Sequence, residues 1–344
     1  MRTSRDRQYL RPAGAKRCEA LFAHGARLAW LFAGLFAPSG AVIAQGYPER
    51  PVRIIVPLVA GGNQDIVTRS IAQKLSEQTG QQFIVENRPS ASGIVGANYV
   101  AKAPADGYTF LSIANTFVAA PATVLGVGYD PVKDFAGVSL LAVLPQLFLV
   151  HPSSPVNGVR DLIALAKRRP DELTFGSAGR GSVAHMGIEL FNARTGIRMI
   201  HIPYKGNAPA LTDLIGGQIV FLADPISTAL PYVRTGKAKA LAVTSARRSP
   251  ILPDLPTVSE SGVQDYEVIV YNAILAPAAT PRAILGRVHA EIVKAVQQPE
   301  LLERFLRQGV ELRSSASPEE NSSFIRTEAE RYAKIARDAG LKPE

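Results

Sequence analysis

The sequence predicts an α/β chain of two doubly wound lobes, joined by a hinge with a cleft between them. Three observations carry this. Strands and helices alternate along almost the whole chain, the pattern of parallel sheets covered by helices on both faces. A strand, a glycine loop and a helix start occur near residue 60 and recur near residue 180. Two long apolar segments, one around Pro145 and one around Val270, have the length and position of crossings between lobes.

In chain order, Val52, Ile54 and Val56 mark a short buried strand that Pro57 ends. Gly61 and Gly62 then open a bare loop, and Ile66, Val67, Ile71 and Leu75 fall on one face of a helix that Gly80 stops. Strands follow at 83–86 and 108–114 around a helix at 93–102, with the polar pair Asn115 and Thr116 after the second strand. The apolar run 136–150, with Pro145 inside it, is too long for one strand and reads as a segment leaving the first lobe. The alternation restarts with a helix at 159–169, a strand at 173–175 and the loop Gly176-Ser-Ala-Gly-Arg-Gly-Ser182. Helices at 183–194, 207–215 and 230–235 then alternate with strands at 199–202, 219–223 and 240–244. Residues 247–265 read as loop, 266–276 as the return crossing, and 281–297 and 318–339 as amphipathic helices.

The formal net charge of +9 raises the question of nucleic acid, but much of it sits at the front. Six Lys and Arg between Arg2 and Arg17 precede the apolar Leu28-Ala-Trp-Leu-Phe-Ala-Gly-Leu-Phe-Ala37, and Val42-Ile43-Ala44 supplies a small-residue exit. This is the order of a secretory signal peptide, with cleavage after Ala44. Its removal lowers the net charge to +4, and no basic patch with interleaved aromatics remains. The single cysteine, Cys18, lies in that segment, so the mature chain has no thiol chemistry.

Each glycine loop followed by a helix start is a potential anion site, because unpaired N–H groups and the positive end of the helix dipole point into it. The same pattern also serves as a plain structural turn. One helix terminus contributes roughly 0.3–1 kcal/mol toward an anion, so two on facing lobes suit a carboxylate or a molecule with one at each end. Catalysis has no comparable support. The five histidines show no metal spacing, and Phe175-Gly-Ser-Ala-Gly179 lacks the first glycine of a nucleophile elbow. Gly179-Arg-Gly-Ser-Val-Ala184 imitates a dinucleotide fingerprint, yet the next strand ends in Pro203-Tyr-Lys205 rather than an acid. No catalytic residue, metal ligand or cofactor is expected.

The residues then point to a family. Tyr47-Pro48, Val56-Pro57 with Gly61-Gly62 and Asp65, Val85-Glu-Asn-Arg-Pro89, Ala105-Asp-Gly-Tyr108 and Tyr129-Asp-Pro-Val-Lys-Asp-Phe135 open the series. Gly176-Ser177, Gly179, Gly181-Ser182 and His185, Ile202-Pro-Tyr-Lys-Gly206, Leu241-Ala-Val-Thr-Ser245 and Leu252-Pro-Asp-Leu-Pro-Thr257 continue it in order. On these blocks the chain resembles the Bug (Bordetella uptake gene) family, the TctC-like periplasmic solute-binding components of tripartite tricarboxylate transporters. The resemblance spans residues 47–340 and implies a type II periplasmic binding protein fold that closes on a small di- or tricarboxylate, acidic amino acid or aromatic acid. Ala60 stands where the family usually has Pro, and Ser90-Ala-Ser-Gly93 where it is usually glycine-rich. Both departures bear on which acid is bound.

The expectations are these. Residues 1–44 are the signal peptide, 45–145 with 271–344 form a discontinuous first lobe, and 146–270 form the second. By resemblance, Leu58, Val59, Gly61, Gly62, Asn63 and Asp65 hold one end of the ligand, and Gly176, Ser177, Gly179, Ser182 and His185 the other. Asn115, Thr116, Tyr204 and Asp224 lie at other strand ends and line the cleft. Two roles stay open for Asp65, a water-mediated contact or a helix cap, and two for His185, an anion donor or a buried structural bond. Asp224 either orders its neighbours or meets a ligand ammonium. The expected partners are a small organic carboxylate and the membrane permease subunits of a tripartite tricarboxylate transporter, with no nucleic acid. The protein is expected in the periplasm as a monomer and not as an enzyme. A carboxylate sensor, or an exported two-domain enzyme, is the alternative.

Overall fold

A computed structural model describes residues 46–343, so the expected signal peptide lies outside the described residues. The described chain is organised on a 10-stranded sheet. The first strands are β1 (Val52–Val56), β2 (Phe83–Asn87) and β3 (Thr109–Ile113), then β4 (Phe135–Val150) and β5 (Thr174–Ser177). They continue with β6 (Ile200–Pro203), β7 (Phe221–Pro225), β8 (Lys239–Val243), β9 (Ile269–Pro277) and β10 (Glu311–Leu312). Their order is β2-β1-β3-β9-β4-β7-β5-β6, with β8 and β10 also paired to β4. The pairs β1–β2, β1–β3, β5–β6 and β5–β7 are parallel, as strand–helix alternation requires, whereas β4 and β9 run antiparallel to their neighbours.

β4 is one strand of 16 residues, where the sequence reading took this run as too long for one. It tolerates the length because it changes partners midway. Phe135 to Pro145 pair with β9, and Gln146 to Val150 pair with β7 and β8. Register shifts between Gly137 and Ser139 and between Leu140 and Ala142 bend it further. Pro145, which has no N–H to give the ladder, stands where the partner changes.

The helices are α1 (Asn63–Thr79), α2 (Ile94–Ala101), α3 (Thr116–Thr123), α4 (Val159–Arg168) and α5 (Val183–Thr195). After these come α6 (Asn207–Ile215), α7 (Ile226–Arg234), α8 (Arg282–Val296), α9 (Pro299–Leu306) and α10 (Pro318–Asp338). α1 begins three residues before the first apolar position at Ile66, because its opening turn is polar and lies at the site described below. It ends at Gly80, whose left-handed backbone lets its N–H return to the Ser76 carbonyl at 3.1 Å. α10 starts with Ser317 accepting from the Glu320 N–H at 3.1 Å, with Pro318 in the first turn.

β1 is buried on both faces, Ile55 as fully as Val52, Ile54 and Val56, as a central parallel strand should be. Ile54 packs with Ile71 and Leu75 of α1, whereas Ile55 packs with Leu111, Ala273 and Leu275 under α2, α3 and α10. A third cluster holds Phe148, Phe191, Phe221 and Tyr266, their rings edge-on at centroid distances of 4.9–5.7 Å from Phe148. Among the described residues no helix is long and apolar enough to cross a membrane.

Candidate ligand-binding site

Parallel strands deliver their carboxyl ends, and the helix starts that follow them, to one place. A cavity of about 490 Å³ lies there, against the loop after β1 and the β9 ladder. Its apolar wall is Leu58, Val59, Pro89, Ala114, Pro225 and Val270. The polar wall is Gly62, Asn63, Gln64, Ser90, Asn207 and Asn272, with Asp65 the one charged side chain among the lining residues. Among the described residues no Lys, Arg or His lines it.

Positive potential comes instead from helix ends. α1 starts at Gly62, α6 at Gly206 and α7 at Pro225, and none of these caps has a side-chain hydrogen bond. Gly62, Asn207 and Pro225 all line the cavity. The first N–H groups of a helix have no intrahelical partner, so three uncapped termini present donors and partial positive charge to this space. α3 begins beside it as well, after the lining residue Ala114.

The loop after β1 is held open by Asp65. Its carboxylate accepts from Gly61 N–H at 2.9 Å, Asn87 Nδ2 at 2.9 Å and Arg69 Nε at 3.0 Å. Asn87 also donates to the Leu58 carbonyl at 3.1 Å. Burial alone would raise the Asp65 pKa, but Arg69, Gly61 and Asn87 outweigh it and hold the acid below its ordinary range. Asp65 therefore spends its oxygens on shaping the loop. Gly61, at φ +82, makes the turn, and Gly62 lies in extended backbone where a Cβ would make only an ordinary contact, 3.7 Å from the Val59 carbonyl oxygen. Across the cavity floor, Asn63 Nδ2 donates to Asn272 Oδ1 at 3.2 Å, and Gln64 Nε2 to Ser112 Oγ at 3.2 Å.

The second glycine loop, 176–182, is built differently. Ser182 caps α5 by accepting from His185 N–H at 3.3 Å, and Gly181 N–H donates to His185 Nδ1 at 3.0 Å. Ser177 Oγ lies 2.7 Å from His201 Nε2 and accepts from Gly179 N–H at 3.1 Å. A Cβ on Gly181 would stand 2.6 Å from Thr123 Oγ1, so this loop is packed against the end of α3. His185 and His201 stack at a centroid distance of 3.9 Å. Burial pushes the His185 imidazole down to about 3, with His201 and Arg180 adding to it, and His201 down to about 4, with Arg180 adding. Both rings are neutral near pH 7. None of Gly176, Ser177, Gly179, Ser182 and His185 lines the cavity.

The remaining expected residues divide. Asn115 is buried and works as a tie, donating to the Ile269 carbonyl at 2.9 Å and Tyr332 Oη at 3.1 Å and accepting from Tyr271 N–H at 3.1 Å. Thr116 opens α3. Tyr204 Oη donates to Asp213 at 2.7 Å, and burial with that carboxylate pushes the phenol up to about 12. Asp224 is buried one residue before the lining Pro225. Thr228 donates to one of its oxygens, the other has no partner among the described residues, and burial pushes the acid up to about 7. Gln64, Asn207, Pro225 and Asn272 were missed by the sequence reading. A signal existed for two of them: Gly206 and Pro225 precede helices without offering a capping side chain.

Residues 67–341 match the model of the tripartite tricarboxylate transporter family receptor, TctC. BugT of Bordetella pertussis is 35% identical over 312 residues, 90% of this chain and 94% of that protein. Among solved structures, Rpa4515 of R. palustris with adipate is 37% identical with a TM-score of 0.77, covering 87% of this chain and 100% of that one. MatC of Rhodopseudomonas palustris with bound malate is 30% identical with a TM-score of 0.72, covering 84% and 99%. The periplasmic binding protein BugD, at 33% identity and a TM-score of 0.74, shares the architecture as well.

Proposed function

Since the chain belongs to the tripartite tricarboxylate transporter receptor family, a family of periplasmic solute-binding proteins, we propose that it captures a small carboxylate between its two lobes. It delivers that acid, chemically unchanged, to the membrane permease of a tripartite tricarboxylate-type transporter. The observation that carries the reading is the set of uncapped helix termini around one cavity. α1 comes from the β1 side and α6 and α7 from the β5–β7 side, and the lining holds no cationic side chain. Backbone N–H groups can neutralise a carboxylate without a lysine or arginine, and the apolar wall accepts its carbon body.

In this reading Leu58, Val59, Gly61, Gly62 and Asn63 hold one end of the acid, with Asp65 fixing the loop. Asn207 and Pro225 meet the other end. Residues 45–145 with 271–344 move against residues 146–270, and β4 and β9 are the hinge. The 176–182 loop buttresses the second lobe, and residues 1–44 direct export to the periplasm. Relatives solved with adipate and malate support the ligand class.

Thermal unfolding of the mature chain against a panel of mono-, di- and tricarboxylates tests this. A true ligand at 100 times its Kd stabilises by about 2.7 kcal/mol. A panel in which no acid raises the midpoint, or a hit that the protein converts to product, overturns the reading.

A further inference from the structure

The strands that cross between the lobes have a second cavity, about 470 Å³, on the face turned away from the ligand cavity. Successive residues of a strand face opposite sides. In β9, Val270 and Asn272 line the ligand cavity, whereas Ile269 lines the second one together with its β4 partner Pro145. Charged side chains enter this rear space from both sides.

Arg247, Arg248 and Glu267 come from the β8 side. Glu267 is tied there through its neighbour, since Val268 N–H donates to the Thr244 carbonyl at 2.8 Å and Thr244 Oγ1 donates back to the Val268 carbonyl at 2.6 Å. Glu311 and Arg313 come from the other side, fixed to the first part of β4. Leu312 pairs with Ala142, and Arg313 N–H donates to the Leu141 carbonyl at 3.1 Å. Arg248 is spent on Glu260 at 2.9 Å. Among the described residues the other four make no ion pair, although each side offers one positive and one negative group. With those signs balanced the rear cavity is no anion trap. It is a self-complementary gap.

We propose that Arg247 with Glu311, and Glu267 with Arg313, form a charged latch across the back of the hinge. Rotation about β4 and β9 that narrows the rear gap widens the front, so pairing there favours the open cleft. Ligand closes the cleft only by drawing these charges apart. The latch thus sets how much of the intrinsic affinity appears as measured affinity. This inference rests on the reading of β4 and β9 as a hinge. Exposed pairs are weak and screened by salt, so the expected effect is about two- to fivefold in Kd.

The test compares the mature protein with Glu311→Arg, which repels Arg247, and with the charge-swapped double variant Arg247→Glu/Glu311→Arg. Small-angle scattering of the ligand-free proteins should show Glu311→Arg to be more compact than wild type and the double variant to match wild type. Calorimetry with adipate as the probe should show Glu311→Arg binding about two- to fivefold tighter, with the swap restoring the original Kd. Raising salt to about 1 M should tighten binding to wild type and weaken it for Glu311→Arg, so that the two Kd values converge. Identical scattering for wild type and Glu311→Arg, or a double variant that fails to revert, overturns the latch. If adipate binds none of the proteins, the choice of acid fails, and the scattering arm alone decides the latch.

Discussion

The two glycine loops look alike in sequence and differ in what their helix starts do. After β1, α1 begins at a glycine with no side chain to offer, so its first N–H groups stay available at a cavity. After β5, α5 begins at Ser182, which takes a backbone N–H for itself, while Gly181 gives its own to His185 and packs against Thr123. The first arrangement leaves its opening N–H groups at a cavity, whereas in the second Ser182 takes one of them. A side-chain cap takes one of the orphan N–H groups at a helix start, so an empty cap leaves more of them for an anion than a filled one.

Filling the empty cap should therefore abolish binding at little structural expense. Gly62 sits at φ −73, and a Cβ there meets nothing closer than the Val59 carbonyl oxygen at 3.7 Å. Gly62→Asp supplies a good cap, worth a few tenths of a kcal/mol to α1, and sets a negative charge where the carboxylate belongs. The expected loss of affinity is about a hundredfold or more, on the order of 2.7 kcal/mol, with an unchanged or slightly raised melting temperature. Calorimetry and thermal unfolding on one sample check both halves. Retained affinity would remove the first loop from the site.

The reverse experiment is Gly181→Val. This glycine has φ +72, and its Cβ would meet Thr123 Oγ1 at 2.6 Å, so a branched side chain brings backbone strain and a clash together. Stability should fall by about 3 kcal/mol in urea, with the Kd of the folded fraction at low temperature within about twofold of wild type. A variant of normal stability that no longer binds would place the second loop in the ligand site after all.

The first loop was legible as a loop because most of what shapes it is local: the apolar run of β1, Gly61 and Gly62, and Asp65 reaching back four residues, with Asn87 of β2 the distant tie. The family blocks carried the fold. The facing wall was less legible, because Asn207, Pro225 and Asn272 come from segments about 150 to 200 residues away from that loop and are neutral groups without periodicity. The 176–182 loop, expected to hold the other end of the ligand, does not line this cavity, because one of its helix-start donors is taken by a capping side chain. Ser182, standing immediately before α5, is the sign in the sequence that one of those donors is engaged.

Acid should separate the loops a second time. Beside the second loop, His185 of α5 and His201 of β6 are held neutral with pKa values near 3 and 4, below their unfolded value of 6.5. Between those values the unfolded chain binds more protons, so their contribution is full above 6.5 and declines as pH falls. Asp224 opposes them. Raised to about 7 from 3.8, it contributes fully below 3.8 and loses that contribution as pH rises through 7. Burial also raises the Glu189 and Glu328 carboxyls, which act in the same direction as Asp224, so variants isolate the histidines' share. In the first loop Asp65 is lowered, so its contribution persists until pH falls below the ordinary Asp range. His201→Gln should flatten the profile of urea midpoint against pH, and Asp224→Asn should steepen it. A His201→Gln profile that runs parallel to the wild type would mean the His201 imidazole is not held neutral.

The smallest expected effect bears most directly on the cap itself. Ser182→Ala removes the side chain that accepts from His185 N–H and leaves the glycines untouched. A lost serine cap costs about 1 kcal/mol. If an empty cap alone made an anion site, the variant would gain binding or change its ligand preference. The freed N–H group of His185, however, lies in the first turn of α5 behind Gly181, which packs on Thr123 and is still bonded to His185, and this turn does not line the cavity. Urea unfolding should register the loss of stability, while calorimetry shows the Kd of the wild type. A donor needs both an empty cap and a cavity in front of it, and the two loops differ in both.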